Sequence, residues 1–196
     1  MRLALGLHTA GSVIGIAVGS WETQTWQERY ITGGDALQQF HTELAVLMQP
    51  YDWSAVDWIA VTRGPGSFTT VRLGLVTART LAQELNIPLF ALSTLGVASF
   101  LTLEPVAVSW PAGMDLVYGG IYHRGIALQP DQVYTRSDWQ RLLQQWPPPL
   151  QVMEDVHTQA PVRALLTWAT ELWRQGQRPP WSQALPFYGR SPVEKA

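Results

Sequence analysis

The first hundred residues alternate short apolar runs with turn residues. Arg2 to His8 and Ser12 to Val18 are two such runs, separated by Ala10-Gly11, and a third, more polar run from Thr23 to Ile31 closes at Gly33-Gly34. Connections this short join antiparallel neighbours, so the pattern predicts a three-stranded meander. Asp35 followed by Gln38 has the spacing of a capping box and opens a helix that Pro50 stops. Its apolar residues Ala36, Leu37, Phe40, Leu44, Leu47 and Met48 fall on an arc of about 120° at 100° per residue. Val56 to Thr62 reads as a buried strand, and Arg63-Gly64-Pro65-Gly66-Ser67-Phe68 as a tight turn with Ser67 as helix N-cap. The helix that follows runs to Leu85 and ends at Asn86 and Pro88, with Pro88 to Leu92 as the next strand.

The order is therefore β-β-β-α-β-α-β. Three antiparallel strands followed by α/β crossovers match an α/β fold of the actin-like and RNase H-like type, two lobes with mixed sheets flanked by helices, rather than a Rossmann fold, which alternates from its first strand. The second half is patterned more weakly. Val106 to Trp110 and Leu116 to Tyr122 read as strands around Pro111-Ala112-Gly113, and Ser137 with Gln140 caps a short helix that stops at Pro147-Pro148-Pro149. A further helix starts at Pro161 and carries Val162, Leu165, Leu166, Ala169, Leu172 and Trp173 on one face up to Gly176. The proline-rich tail from Arg178 is expected along the surface. The pattern divides the chain into residues 1–102, an N-terminal lobe, and residues 103–196, a smaller C-terminal lobe whose tail can pack back on the first. No internal repeat stands out.

Composition narrows the function classes. The chain has 196 residues, 46% of them hydrophobic and 14% charged, enough for a substantial core and far from the profile of a disordered segment. With no cysteine there is no disulfide framework, thiolate metal site or cysteine nucleophile. A net charge of -2 argues against holding nucleic acid by bulk charge, and the single lysine, Lys195, leaves none for a phosphate loop. No run approaches the ~18 apolar residues of a spanning helix and the start lacks a signal-peptide pattern, so a soluble, cytoplasmic protein is expected. The ten tryptophans fit either a large core with partly exposed rings or an interface-rich surface.

Few residues suggest chemistry. The turn at Gly64, Pro65, Gly66 and Ser67 leads into a helix N-terminus whose free N–H groups suit an anion, or it is simply a tight turn capped by Ser67. A nuclease of this topology needs carboxylates on strand ends, yet His8 stands at the first strand end, and Asp57, Asp115 and Asp155 form no recognisable set. His8, His41, His123 and His157 lack metal-ligand spacing, and Ser67 has neither a nucleophile-elbow motif nor a partner base. The reading is no catalytic residues, no metal and no cofactor. The long helix is different. Outside its core stripe it carries Thr70, Leu73, Gly74, Val76, Thr77 and Leu81, so it is apolar nearly all round and should be covered on two sides. A glycine inside a helix costs about 1 kcal/mol against alanine, which makes sense where another helix comes close. Arg72 and Arg79, two turns apart on one edge, are either rim charges or partner contacts.

The segment Val61-Thr62-Arg63-Gly64-Pro65-Gly66-Ser67-Phe68-Thr69-Thr70-Val71-Arg72-Leu73-Gly74 resembles the G-P-G-S-F-T-G-x-R-x-G signature of the bacterial TsaB (YeaZ) family. Leu85-Asn86-Ile87-Pro88 with Ser93-Thr94-Leu95, His41-Thr42-Glu43-Leu44 and Pro186-Phe187-Tyr188-Gly189-Arg190 are similar to further stretches of that family. The resemblance implies a two-lobed actin-like (ASKHA) fold and a non-catalytic scaffold role in making threonylcarbamoyladenosine in tRNA. It implies pairing with the catalytic paralogue TsaD, a TsaE-type ATPase as accessory, tRNA contact only through the complex, and a homodimer when the partner is absent. The seam implied for this chain takes His41, Ala45 and Met48 from the first helix, and Thr70, Leu73, Gly74, Thr77 and Leu81 from the second, with Arg72 and Arg79 at its edge. On that reading Gly74→Trp breaks pairing and leaves the monomer folded. The chain departs from the family at Leu5-Gly6-Leu7-His8-Thr9-Ala10, where L-A-L-D-T-S is usual, at Thr70, and from Pro111 to Tyr118, where the usual aspartate and arginine are absent. The alternative from another class is an actin-like phosphotransferase or hydrolase using the Gly64 to Ser67 turn.

Overall fold

The structure, a computed structural model, describes residues 1–154, 161–187 and 189; Asp155, His157, Tyr188, Arg190 and Lys195 lie outside them. Strands β1 (Leu3–His8), β2 (Ile14–Ser20) and β3 (Thr25–Ile31) form the expected meander, β2 running antiparallel to both neighbours. Strands β4 (Val56–Thr62) and β5 (Leu89–Leu92) add in parallel to give the order β3-β2-β1-β4-β5. The inner strands are apolar on both faces because both faces are covered. Leu3, Leu5, Leu7, Ile59 and Val61 point to one cluster, under α1 (Ala36–Met48) and α2 (Phe68–Leu85); Ala4, Trp58 and Ala60 point to another on the opposite face.

A second sheet holds β6 (Val106–Pro111), β7 (Leu116–His123), β8 (Ile126–Thr135) and β9 (Gln151–Glu154) in the order β8-β7-β6-β9. Its meander followed by a parallel strand, β9 on β6, repeats the plan of the first sheet, with α4 (Arg136–Gln145) in the place of α1. The repeat is one of topology with no trace in residue pattern. Strand β8 escaped the sequence reading because Gln129-Pro130-Asp131-Gln132 interrupts any alternation, and β9 because it follows three prolines and is mostly exposed. Short α3 (Thr94–Ala98) sits between the lobes, its Leu95 and Ala98 packed with Val106, Val108 and Tyr122.

Helix α5 (Val162–Arg174), expected in the second lobe, lies instead on the first sheet. Val162, Leu165, Leu166 and Ala169 close the cluster of Trp58, Ala60 and Phe90. Gly6 of β1 permits this approach, since a Cβ there would stand 2.8 Å from Leu166. All ten tryptophans pack within these clusters. Trp21, Trp26, Trp168 and Trp173 flank Trp58, while Trp53, Trp110 and Trp181 border the α1–α2 core, and Trp139 of α4 and Trp146 at its end pack in the cluster of Ala107, Val117 and Ile121. Trp58 and Trp139 are buried and the other eight are half-buried against these clusters, which fits a large core with partly exposed rings.

The tail does not merely skim the surface. The Leu89 N–H donates to Pro179 O at 3.1 Å, Ala184 is buried in the first core, and the Phe187 N–H donates to Arg63 O at 2.8 Å. Phe187 then meets Tyr118 of β7 edge-on at 6.4 Å, so the segment straps one lobe to the other. Phe187→Ala removes that half-buried ring contact and should lower stability by about 1–2 kcal/mol, read as a lower urea midpoint at unchanged slope.

Three local signals were misplaced. Neither Asp35 nor Ser67 makes a side-chain cap bond, and α4 is capped by Thr135 rather than Ser137, Thr135 Oγ1 accepting from Asp138 N at 3.0 Å. Among the described residues no helix is long and apolar enough to cross a membrane.

Candidate functional site

The glycine-proline-glycine turn is a packing joint. Gly64 has φ +97°, which glycine adopts without strain. The Ser67 N–H donates to Ala10 O at 2.8 Å, and Gly64 O accepts from Thr94 N at 2.9 Å. A Cβ on Gly66 would stand 2.3 Å from Ala10 O, and one on Gly74 would stand 2.1 Å from Thr9 Oγ1. Both glycines of the signature thus let α2 lie down on the loop between β1 and β2. Gly74 faces the sheet, which overturns its expected place in a seam: the close neighbour is Thr9 of the same chain. Met48 is also lost to the seam, being buried in the first core. Arg79 is spent inside the molecule, donating to Ala184 O at 3.1 Å and lying over Trp181.

The remaining expected residues lie on one surface. His41 Nε2 and Thr77 Oγ1 are 3.1 Å apart and tie α1 to α2. Ala45 is exposed, Thr70, Leu73 and Leu81 are half-buried, and Arg72 lies over the Phe68 ring at 3.7 Å. Four exposed residues carry the apolar character: Leu37 and Val46 on α1, and Phe68 and Val76 on α2, the last 63% exposed. Val46 and Val76 fall off the core stripes of their helices, whereas Leu37 and Phe68 lie in first turns, where a residue on the apolar arc stays exposed.

A cleft of about 640 Å³ opens between the lobes at the first turns of the two helices. Gly33-Gly34 and Gly66-Ser67 form one wall, Trp110 and Tyr118 the other, and among the described residues no Asp, Glu, His, Lys or Arg lines it.

Other buried polar groups have structural surroundings. His8 is buried at the end of β1 with neither ring nitrogen hydrogen-bonded, and burial pushes its pKa down to about 4, so the ring is neutral at pH 7. Asp131 accepts from the Tyr122 hydroxyl at 2.6 Å, and burial raises the pKa of both. Among the described residues no three His, Asp or Glu side chains gather where they could hold a metal.

The sheet order and two repeated lobes define an α/β protein of the actin-like (ASKHA) class, with two helices presented on one side of the first lobe. The family described as TsaD, tRNA N6-adenosine threonylcarbamoyltransferase, matches residues 41–135. The tRNA threonylcarbamoyladenosine biosynthesis protein TsaB of Bacillus subtilis is 35% identical over 108 residues, 50% of this chain; the match spans 44% of that relative, less than half its length. YeaZ from Pseudomonas aeruginosa superposes with a TM-score of 0.78 at 25% identity, covering 96% of this chain and all of that one. A crystal structure described as an uncharacterized protein with similarity to peptidase YEAZ from Pseudomonas aeruginosa gives 0.80 at 25% identity, over 97% of this chain. In sequence and in fold the chain is similar to proteins of the TsaB (YeaZ) family.

Proposed function

We propose that this chain is a non-catalytic subunit in the biosynthesis of threonylcarbamoyladenosine in tRNA, and that it pairs through α1 and α2 with a catalytic TsaD-type protein. The observation that carries the reading is the exposed apolar surface of Leu37, Val46, Phe68 and Val76 on two adjacent helices. Exposed aliphatic and aromatic residues on two neighbouring helices fit a surface meant to be covered, and the Arg72 guanidinium over the Phe68 ring adds the arginine that interface centres favour. His41, Ala45, Thr70, Leu73, Thr77 and Leu81 belong to this face; Gly74, Met48 and Arg79 hold it in shape from behind. A TsaE-type ATPase joins the pair, tRNA is met through the complex, and a second copy occupies the same face when the partner is absent. A phosphotransferase or hydrolase reading gains nothing from a turn that packs on Ala10.

Co-purification with the TsaD-type protein of the same cell tests this. The wild-type chain is expected to hold its partner, and Val76→Arg, which places a charge in the middle of the apolar face, to weaken it at least 100-fold without changing the melting temperature. A wild-type chain that elutes alone beside its partner overturns the proposal.

A further inference from the structure

One polar pair stands within the two-helix face. His41 Nε2 and Thr77 Oγ1 are 3.1 Å apart, and the residues four positions away are Leu37 and Ala45 on α1, and Leu73 and Leu81 on α2. The imidazole is fixed as well as paired, since it meets the buried Phe40 ring edge-on at 5.1 Å. A fixed polar group in apolar surroundings selects the register of whatever covers it. Resting on the pairing with a TsaD-type protein proposed above, we infer that His41 is the specificity-determining hydrogen-bond donor of this face. Thr77 gives its hydroxyl proton to Nε2, Nδ1 carries the ring's own proton, and the partner meets that N–H with a carbonyl oxygen.

Three observations lead to this assignment. First, Thr77 is turned away from its own helix. The hydroxyls of Thr70, Thr167 and Thr170 donate to carbonyls three or four residues back, at Ser67, Arg163 and Leu166, whereas Thr77 makes no such bond and faces α1. Second, the two tautomers differ in what they leave over. With the proton on Nε2 the ring donates to Thr77, and both the Thr77 O–H and the Nδ1 lone pair need partners once the face is covered. With the proton on Nδ1 the Thr77 hydroxyl is used, and one donor remains. An unpaired polar group under a cover that excludes water is costly, so the second form is the one that binds. Third, the surroundings call for a neutral acceptor. Within four positions of either residue the only Lys or Arg is Arg79, which is held by Ala184 O and Trp181, and the only acid is Glu43, which pairs with Arg29 at 3.0 Å. A carboxylate brought here would leave water without a counter-charge, whereas a carbonyl exchanges one hydrogen bond for another.

Calorimetric titration with the TsaD-type protein of the same cell reads the donor, with Val76→Arg as control for the face and melting curves as control for the fold. His41→Phe keeps a ring and removes both nitrogens, and is expected to weaken binding about 10-fold or more. His41→Asn, whose amide N–H takes the place of Nδ1–H, should stay within about 3-fold of wild type. Thr77→Val leaves Nε2 without its donor and should weaken binding about 3- to 10-fold. NMR of the wild-type complex, with nitrogen-labelled histidine at a pH where imidazole is neutral, should show Nδ1 protonated and Nε2 bare. Full affinity of His41→Phe beside a defective Val76→Arg overturns this inference and leaves the pairing in place. A ring protonated at Nε2 in the complex overturns it too. His41→Asn as weak as His41→Phe means that the imidazole only fills space, and the donor role falls. A wild-type chain that does not bind the partner at all removes the pairing itself and the inference with it.

Discussion

Gly74→Ala is expected to destabilise the protein by about 2 kcal/mol, although it removes a glycine from the middle of a helix. Helix propensity alone favours alanine by about 1 kcal/mol. Against this stands a contact that cannot form: the new Cβ would lie 2.1 Å from Thr9 Oγ1, 2.8 Å from its Cγ2 and 2.9 Å from its Cβ. Thr9 is fully buried, and its β-branched side chain has few rotamers to offer, so α2 must rise off the loop between β1 and β2. Overpacking of this kind costs about 1–3 kcal/mol for one added carbon and more for a larger group; Gly74→Trp then fails to fold, opposite to the sequence expectation. Urea denaturation measures the difference, and a Thr9→Ala background should recover most of it. An alanine variant more stable than wild type would show that nothing lies against that side of the helix.

His8 should make stability fall steeply on the acid side. The ring takes up a proton below about pH 6.5 in the unfolded chain but only near pH 4 in the folded one, because burial disfavours the charged form. Between those values the unfolded state binds more protons, so stability is full above about pH 6.5 and declines towards pH 4, by about 3 kcal/mol in all. His8→Leu keeps the volume and removes the titration. Carboxylates titrate in both proteins and cancel in the comparison, so wild type should lose about 3 kcal/mol more than the variant between pH 7 and pH 4. Parallel stability curves would mean that the ring stays solvated in the folded protein.

The first lobe was legible because each of its elements announces itself twice, by period and by punctuation. Strand β4 was read to the residue, and α1 and α2 to within a residue or two, since Pro50, Asn86 and Pro88 mark their ends. What failed was direction. A glycine in an apolar helix looks the same whether the thing that approaches it is a partner or the chain's own loop, and only the fold brings Thr9 to Gly74. Met48 and Arg79 went astray for a related reason. A residue at the edge of a helical stripe can turn inward, as Met48 does, and a cation can be satisfied by a carbonyl 105 residues away, as Arg79 is by Ala184. The cleft was illegible, because its walls come from five separate stretches of chain whose nearness depends on two lobes closing against each other. Composition left the tryptophans open between a core with partly exposed rings and an interface-rich surface, and packing sets them against the core clusters.

Helix α5 sets an order in which the molecule can be made. The first sheet is threaded early, yet one whole side of it, with Trp58, Ala60 and Phe90, stays bare until residues 162–174 arrive after the entire second sheet. During synthesis that surface is exposed for the time needed to add about 70 residues, several seconds at ordinary rates of translation. The N-terminal half is thus not a self-sufficient folding unit, and cutting the chain between its lobes strands an aggregation-prone sheet rather than releasing a domain. The late helix acts as the keystone of the early lobe, so a nascent chain commits to its final shape only near the end of translation.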